Sequence, residues 1–154
     1  DLALFGSYAP DVVVVNSVVQ YFPSAAYLHT VMTRAVAALT KDGGGGKLFV
    51  GDVRHHGLLS VFHSSIVAFH AKDKADRTTV AALRAETEQA MATDRELLLH
   101  PAFFEAFARE HPGVTDVRFL LKRSQHGNEL SKFRYDAVLF VGEGTLEGGS
   151  FFVA

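Results

Sequence analysis

Asp11-Val-Val-Val-Val-Asn16, entered through Pro10 and left through Ser17, is the stretch that decides the fold. A short, unbroken run of β-branched residues reads as a strand buried on both faces, and such strands belong to parallel sheets covered by helices. Working outward, Ser24 follows Pro23 and caps a helix whose apolar positions Leu28, Val31, Met32, Ala35, Val36 and Leu39 recur at the spacing of one packed face. Lys41, Asp42 and the glycines Gly43 to Gly46 stop that helix and turn the chain back, since glycine accepts the left-handed conformation of a helix C-cap. Leu48-Phe49-Val50 is then a second strand, ending at Gly51-Asp52, so strand, helix and strand make a right-handed crossover between parallel neighbours.

Beyond this unit, helical patterns run over 58–71 and 79–98, with a charged stretch from Lys72 to Thr79 between them, and predict a helical cap inserted at 58–98. His100-Pro101 opens a further helix with Phe103, Phe104 and Phe107 on one face, closed by His111-Pro112-Gly113. Val117 to Leu121 and Tyr135 to Val141 read as strands of an antiparallel hairpin at the sheet edge, with Gly127 and Asn128 at its turn. The expected architecture is α/β, with three parallel strands plus a last antiparallel one in a single unit over 1–142, and a Gly-rich linker over 143–154.

Composition narrows the function. A formal charge of −2, with both signs interspersed, offers no basic face to a phosphate backbone and argues against nucleic acid as a partner. With no cysteine there is neither a disulfide nor a thiolate metal site, and the cytoplasm is the expected compartment. No apolar run approaches the roughly 20 residues that span a bilayer, so no membrane partner is expected. The chain opens at Asp1 without an initiator methionine, which reads as a segment of a larger protein.

In such a sheet, ligands bind outside the carboxyl ends of the parallel strands. That rule selects Asn16, Ser17, Gln20 and Tyr21 after the first strand, Asp52, Arg54, His55 and His56 after the second, and Asn128 and Glu129 in the hairpin link if its first strand runs parallel to the others. Competing readings make Asn16 and Ser17 turn formers, and Asp52 with Arg54 an ion pair or loop cap. His56, His63 and His70 share a seven-residue spacing, about 10 Å along a helix, too far for one ion held at about 2 Å, so no metal site is expected. Gly43 to Gly46 lie between helix and strand, the reverse of a phosphate loop. Lys122, Arg123, Lys132 and Arg134 read as a solvated basic face.

The blocks Asn16-Ser-Val-Val-Gln-Tyr-Phe-Pro23, Leu48-Phe-Val-Gly-Asp-Val-Arg54, Glu96-Leu-Leu98, Pro101-Ala-Phe-Phe104 and Asn128-Glu-Leu-Ser-Lys-Phe-Arg-Tyr-Asp136 together resemble the N-methyltransferase domains of nonribosomal peptide synthetases. The resemblance implies the C-terminal half of a Rossmann-like class I methyltransferase sheet, its fourth to seventh strands. It implies S-adenosylmethionine as cofactor and, as partners, a carrier-tethered aminoacyl substrate with neighbouring adenylation and carrier domains. On this resemblance Asn16, Ser17 and Gln20 would bind the cofactor, and Tyr21, Arg54 and Asn128 the substrate. Glu129, Asp52 or His55 would take the amine proton, Glu129 first among them. The glycine-rich loop and the acidic residue that hold the cofactor in that family are not among these residues, so the chain alone is expected to bind cofactor poorly or not at all and to be inactive. A carbon or oxygen methyltransferase and a noncatalytic synthetase module are the competing readings.

Overall fold

A computed structural model describes residues 9–72, 79–122 and 128–142. Strand β1 (Val12–Asn16) leads through a short 3-10 turn at Val19–Tyr21 into helix α1 (Ala25–Leu39) and strand β2 (Gly46–Arg54). Helices α2 (Leu59–Ala71), α3 (Val80–Thr93) and α4 (Ala102–Glu110) follow, then strand β3 (Val114–Leu121), the single turn α5 (Glu129–Lys132) and strand β4 (Arg134–Val141). The proposed linker over 143–154 and the hairpin residue Gly127 lie outside the described residues.

The four strands form one sheet in the order β1-β2-β4-β3. β1 pairs parallel with β2, while β4 runs antiparallel to both β2 and β3, so β3 points the same way as β1 and β2. Three parallel strands and a last antiparallel one are therefore present, as expected. The hairpin is not confined to the edge, however: β4 enters the sheet between β2 and β3. Tyr135 and all residues from Ala137 to Val141 are buried, as a central strand requires, whereas Asp116, Arg118 and Leu121 leave β3 exposed as the edge.

Ser24 Oγ accepts a hydrogen bond from Tyr27 N at 3.1 Å and starts α1, whose buried stripe is the one its spacing predicts. The helix gives way to a tight turn in which Gly43 holds a φ of 76°, and Gly46 has no room for a side chain because a Cβ there would meet Asp11 O at 2.1 Å. α1 and α4 cover the sheet with Leu28, Met32, Phe104 and Phe107, all fully buried against Leu48, Val50, Val53 and Leu139. Phe104 meets Tyr135 and Phe119 edge-on, both with ring centroids 6.2 Å away.

Two expectations are corrected. β1 is buried on one face only: Val13 faces the core, while Val12 and Val14 are 53% and 62% exposed, because nothing among the described residues covers their side or pairs with the outer edge. The last cap helix stops at Thr93 instead of reaching Leu98. Asp94 there takes an extended backbone, and the chain from it runs alongside the end of β2, with Leu97 N donating to Gln20 O and Leu99 N to Arg54 O. A hydrogen-bonding partner outside the helix outweighs local helix propensity. No helix among the described residues is long and apolar enough to cross a membrane.

Phe104→Ala should lower stability by about 3–5 kcal/mol through lost burial and a cavity, whereas Val80→Ala, at a position 79% exposed, should change it by less than about 0.5 kcal/mol. Urea denaturation midpoints of the two variants check both.

Candidate functional site

The carboxyl ends of β1 and β2 and the start of β4 come together through polar side chains. At the end of β1, Ser17 takes a φ of 57° and its Oγ donates to Asp52 Oδ2 at 3.2 Å. Gln20, 5% exposed in the following turn, donates from Nε2 to Ser17 O at 3.2 Å. A carbonyl only accepts, so this bond fixes the amide orientation and turns Oε1 away, where it is buried and has no partner among the described residues.

Asp52 lies within β2, not beyond it. Its φ of 65° and the register shift between Val50 and Val53 mark a bulge. Asp52 N donates to Asp136 Oδ1 at 2.7 Å, and Asp52 Oδ2 accepts from Arg134 Nη1 at 2.8 Å. Arg134 Nη2 reaches Glu129 Oε1 at 2.7 Å, and Lys122 Nζ lies 2.7 Å from Asp136 Oδ1. Burial alone would lower the Arg134 pKa, but the hydrogen bond to Glu129 and the charge of Asp52 outweigh it and raise the value. Two of the basic residues are therefore not part of a solvated face: the Arg134 side chain is 10% exposed and Lys122 is 26% exposed, both in ion pairs, whereas Lys132 is exposed as expected. Arg123 lies outside the described residues.

A connected path thus runs from Gln20 through Ser17, Asp52 and Arg134 to Glu129, with Asp136 and Lys122 beside it. Three carboxylates face two cations, leaving one negative charge in excess among the described residues. Two buried polar atoms in this path lack partners among the described residues, the acceptor Gln20 Oε1 and the donor Arg134 Nε. Glu129 also lines a groove of about 480 Å³ walled by Phe62, Ile66, Phe69 and Phe133, a volume suited to a small organic group.

Other expected residues go elsewhere. Arg54 does not pair with Asp52; it makes a two-armed contact with Asp94 (3.0 and 2.9 Å) and a third bond to Glu96 at 2.9 Å. His63 Nε2 joins the same Asp94 carboxylate at 2.9 Å. Burial alone would raise the Asp94 pKa, yet the bonds from Arg54, Glu96 N and His63 hold it down to about 2. His55 packs edge-on against Tyr135 and His100, its Nδ1 accepts from Gly57 N, and burial with the nearby His100 lowers its pKa. Its Nδ1 lone pair is thus already engaged by Gly57 N. Asn128 Oδ1 caps α5 by accepting from Ser131 N, while Tyr21 is 73% exposed. Asn16 lies over Gly51, whose missing side chain leaves room for the Asn16 amide.

Arg134, Lys122 and Asp136 are the site residues that sequence reasoning missed. For Arg134 and Asp136 the available signal was their alternation with the apolar residues of β4, which places both on one face of that strand; Lys122, just past β3, carried no such signal.

No protein-family model matches the chain. Over 129 residues, 84% of its length, it is 48% identical to CymA of Salinispora arenicola, described as a probable non-canonical nonribosomal peptide synthetase, of which the match covers 2%. It is 40% identical over 148 residues to chondramide synthase cmdD of Chondromyces crocatus, covering 96% of this chain and 4% of that one. The chain is homologous to a segment of nonribosomal peptide synthetases. Beauvericin nonribosomal cyclodepsipeptide synthetase of Beauveria bassiana adds a third such match, 42% identical over 141 residues, 90% of this chain and 4% of that one. The synthetase segment thus spans no more than 4% of the length of these three relatives.

The Asp94 cluster carries a pH signature. A carboxyl whose pKa falls from 3.8 to about 2 on folding stabilises the segment by about 2 kcal/mol at neutral pH. This contribution is complete above the unfolded pKa and is lost as pH falls through the folded one. Asp94→Asn should therefore flatten the dependence of stability on pH between about 4 and 2, read from denaturation midpoints across that range.

Proposed function

We propose that the chain is the substrate-side half of an S-adenosylmethionine-dependent methyltransferase domain that methylates the α-amine of an aminoacyl group tethered to a carrier domain of a synthetase. The observation that carries this reading is the polar path from Gln20 to Glu129 at the carboxyl ends of the parallel strands, with its excess negative charge and two buried atoms that have no partner among the described residues. Homology to nonribosomal peptide synthetases supports an assembly-line setting. The polar path suits a cationic group and an amine that becomes cationic as it reacts.

Those residues fit the cofactor on one side. Asn16, Ser17 and Gln20 would hold it, with Gln20 Oε1 as an acceptor awaiting a donor, while a glycine-rich loop would come from sequence outside this chain. The bound cofactor supplies an electrophilic methyl on a sulfonium. Glu129 presents a carboxylate to the attacking amine: Arg134 holds Oε1, and the other oxygen orients an N–H and takes its proton. Asp52, fixed by Ser17 and Arg134, keeps the local potential negative without moving. The walls Phe62, Ile66 and Phe69 would shelter the side chain of the acyl group from water. Arg54 acts at a distance, tying the end of α3 to β2.

The test uses a domain extended upstream, with an aminoacylated carrier as acceptor. Calorimetry should detect S-adenosylmethionine binding to the extended domain and little to the 154-residue chain, and mass spectrometry should place the methyl on nitrogen. Glu129→Gln should lower kcat by about 10²–10⁴-fold with cofactor affinity retained. A methyl found on carbon or oxygen overturns the amine assignment, and a folded extended domain that binds no cofactor overturns the enzyme.

A further inference from the structure

Away from the polar path, on the helices that cover the sheet, two histidines and a glutamate meet without any part in the chemistry above. His29 lies in the second turn of α1, Glu110 is the last residue of α4, and His111 is the C-cap that follows it. One ligand atom from each lies within 4.8 Å of the others. His29 Nε2 sits 3.0 Å from Glu110 Oε2, and His111 Nε2 sits 3.0 Å from Thr33 Oγ1, one turn along α1 from His29. An exposed ion pair is worth at most about 1 kcal/mol and would require nothing of His111.

The rings are nevertheless arranged as a pair. Phe107, 1% exposed, stacks on His111 at 3.9 Å and meets His29 edge-on at 5.0 Å, so one buried ring positions both imidazoles. His111 Nδ1 lies 2.9 Å from Phe107 O. Because a carbonyl only accepts, Nδ1 carries the proton, and with the ring neutral the Nε2 lone pair faces the Thr33 hydroxyl, which also reaches His29 O at 2.9 Å and which an ion would displace from Nε2. Metal-binding histidines show this arrangement, with one nitrogen donating to a carbonyl so that the other is aimed at the ion.

The geometry points to a divalent transition-metal site, zinc by its donor set, formed by His29, Glu110 and His111 between α1 and the C-terminal end of α4, with solvent as fourth ligand. Two imidazoles and one carboxylate match zinc better than calcium or magnesium, which prefer all-oxygen shells. Bonds of about 2.0–2.2 Å would set tetrahedral ligands about 3.4 Å apart, so His29 and Glu110 must spread slightly from their present 3.0 Å while His111 settles at the same separation from both. His29 and Glu110, with side chains 37% and 62% exposed, have the freedom to do so and leave a path for the ion. The site would clip α1 and α4 together, on elements other than the one that carries Glu129.

Titration of zinc chloride into the 154-residue chain by calorimetry, with cobalt(II) as an optical probe, tests this site. One equivalent should bind, and cobalt should give the visible absorption of a tetrahedral complex. His29→Gln, Glu110→Gln and His111→Gln should each weaken binding at least about tenfold, while His56→Gln and His63→Gln leave it unchanged. Circular dichroism confirms folding of each variant; should His111→Gln disturb Phe107 packing, the two exposed positions decide. No saturable binding, or an affinity that survives the His29→Gln/Glu110→Gln double variant or falls with His63→Gln, overturns the site.

Discussion

The left-handed backbone at Asp52 is the constraint on which the candidate site depends. Strict alternation along β2 would place residue 52 on the core face with Leu48 and Val50. The bulge adds one residue, so Val53 takes the core position, fully buried like Leu48 and Val50, and the Asp52 carboxylate is re-aimed toward Ser17 and Arg134. A non-glycine residue in this conformation costs on the order of 1–3 kcal/mol, and aspartate tolerates it better than most. The bond from Asp52 N to Asp136 and the Arg134 contact offset that strain.

Two buried ion clusters flank the end of β2 and divide the labour. Asp52 joins β1, β4 and α5 through Ser17, Arg134 and Glu129, whereas Arg54 joins β2 to the end of α3 through Asp94 and Glu96. Burying charges is costly unless each is paired and hydrogen-bonded. Arg54 meets that condition with bonds to two carboxylates, but Arg134 Nε does not. The cluster around Arg54 is complete in itself; the one around Arg134 leaves hydrogen-bonding capacity unused beside the groove.

Local patterns made the first half of the fold legible. The stripe on α1, its Ser24 cap and the turn at Gly43 all follow from spacing and backbone freedom, and the strands of the parallel pair stand where the β-branched run at Val12–Val15 and the apolar run at Leu48–Val50 indicate. What escaped depends on partners distant in sequence. Asp94 could end a helix or continue one until Arg54, forty residues earlier, is seen to hold it. Arg134 resembles any surface arginine until the bulge delivers Asp52 to it. The cleft residues Ser17, Gln20, Asp52 and Glu129 were found by the strand-end rule, but their connection passes through the missed Arg134. His55 was selected by the same rule and packs instead against Tyr135 and His100, because a strand end fixes where a residue begins and not where its ring lies.

Val12 and Val14 give β1 a further physical meaning. Among the described residues its outer edge has no pairing strand and lies beside an apolar, uncharged surface, with no lysine, proline or bulge within Val12–Asn16 to discourage another strand. A surface of this kind completes itself by adding a strand, whether from the same polypeptide or from a neighbour in solution. An edge left in that state is a site for sheet growth, and covering it is a condition for keeping the chain apart from its copies.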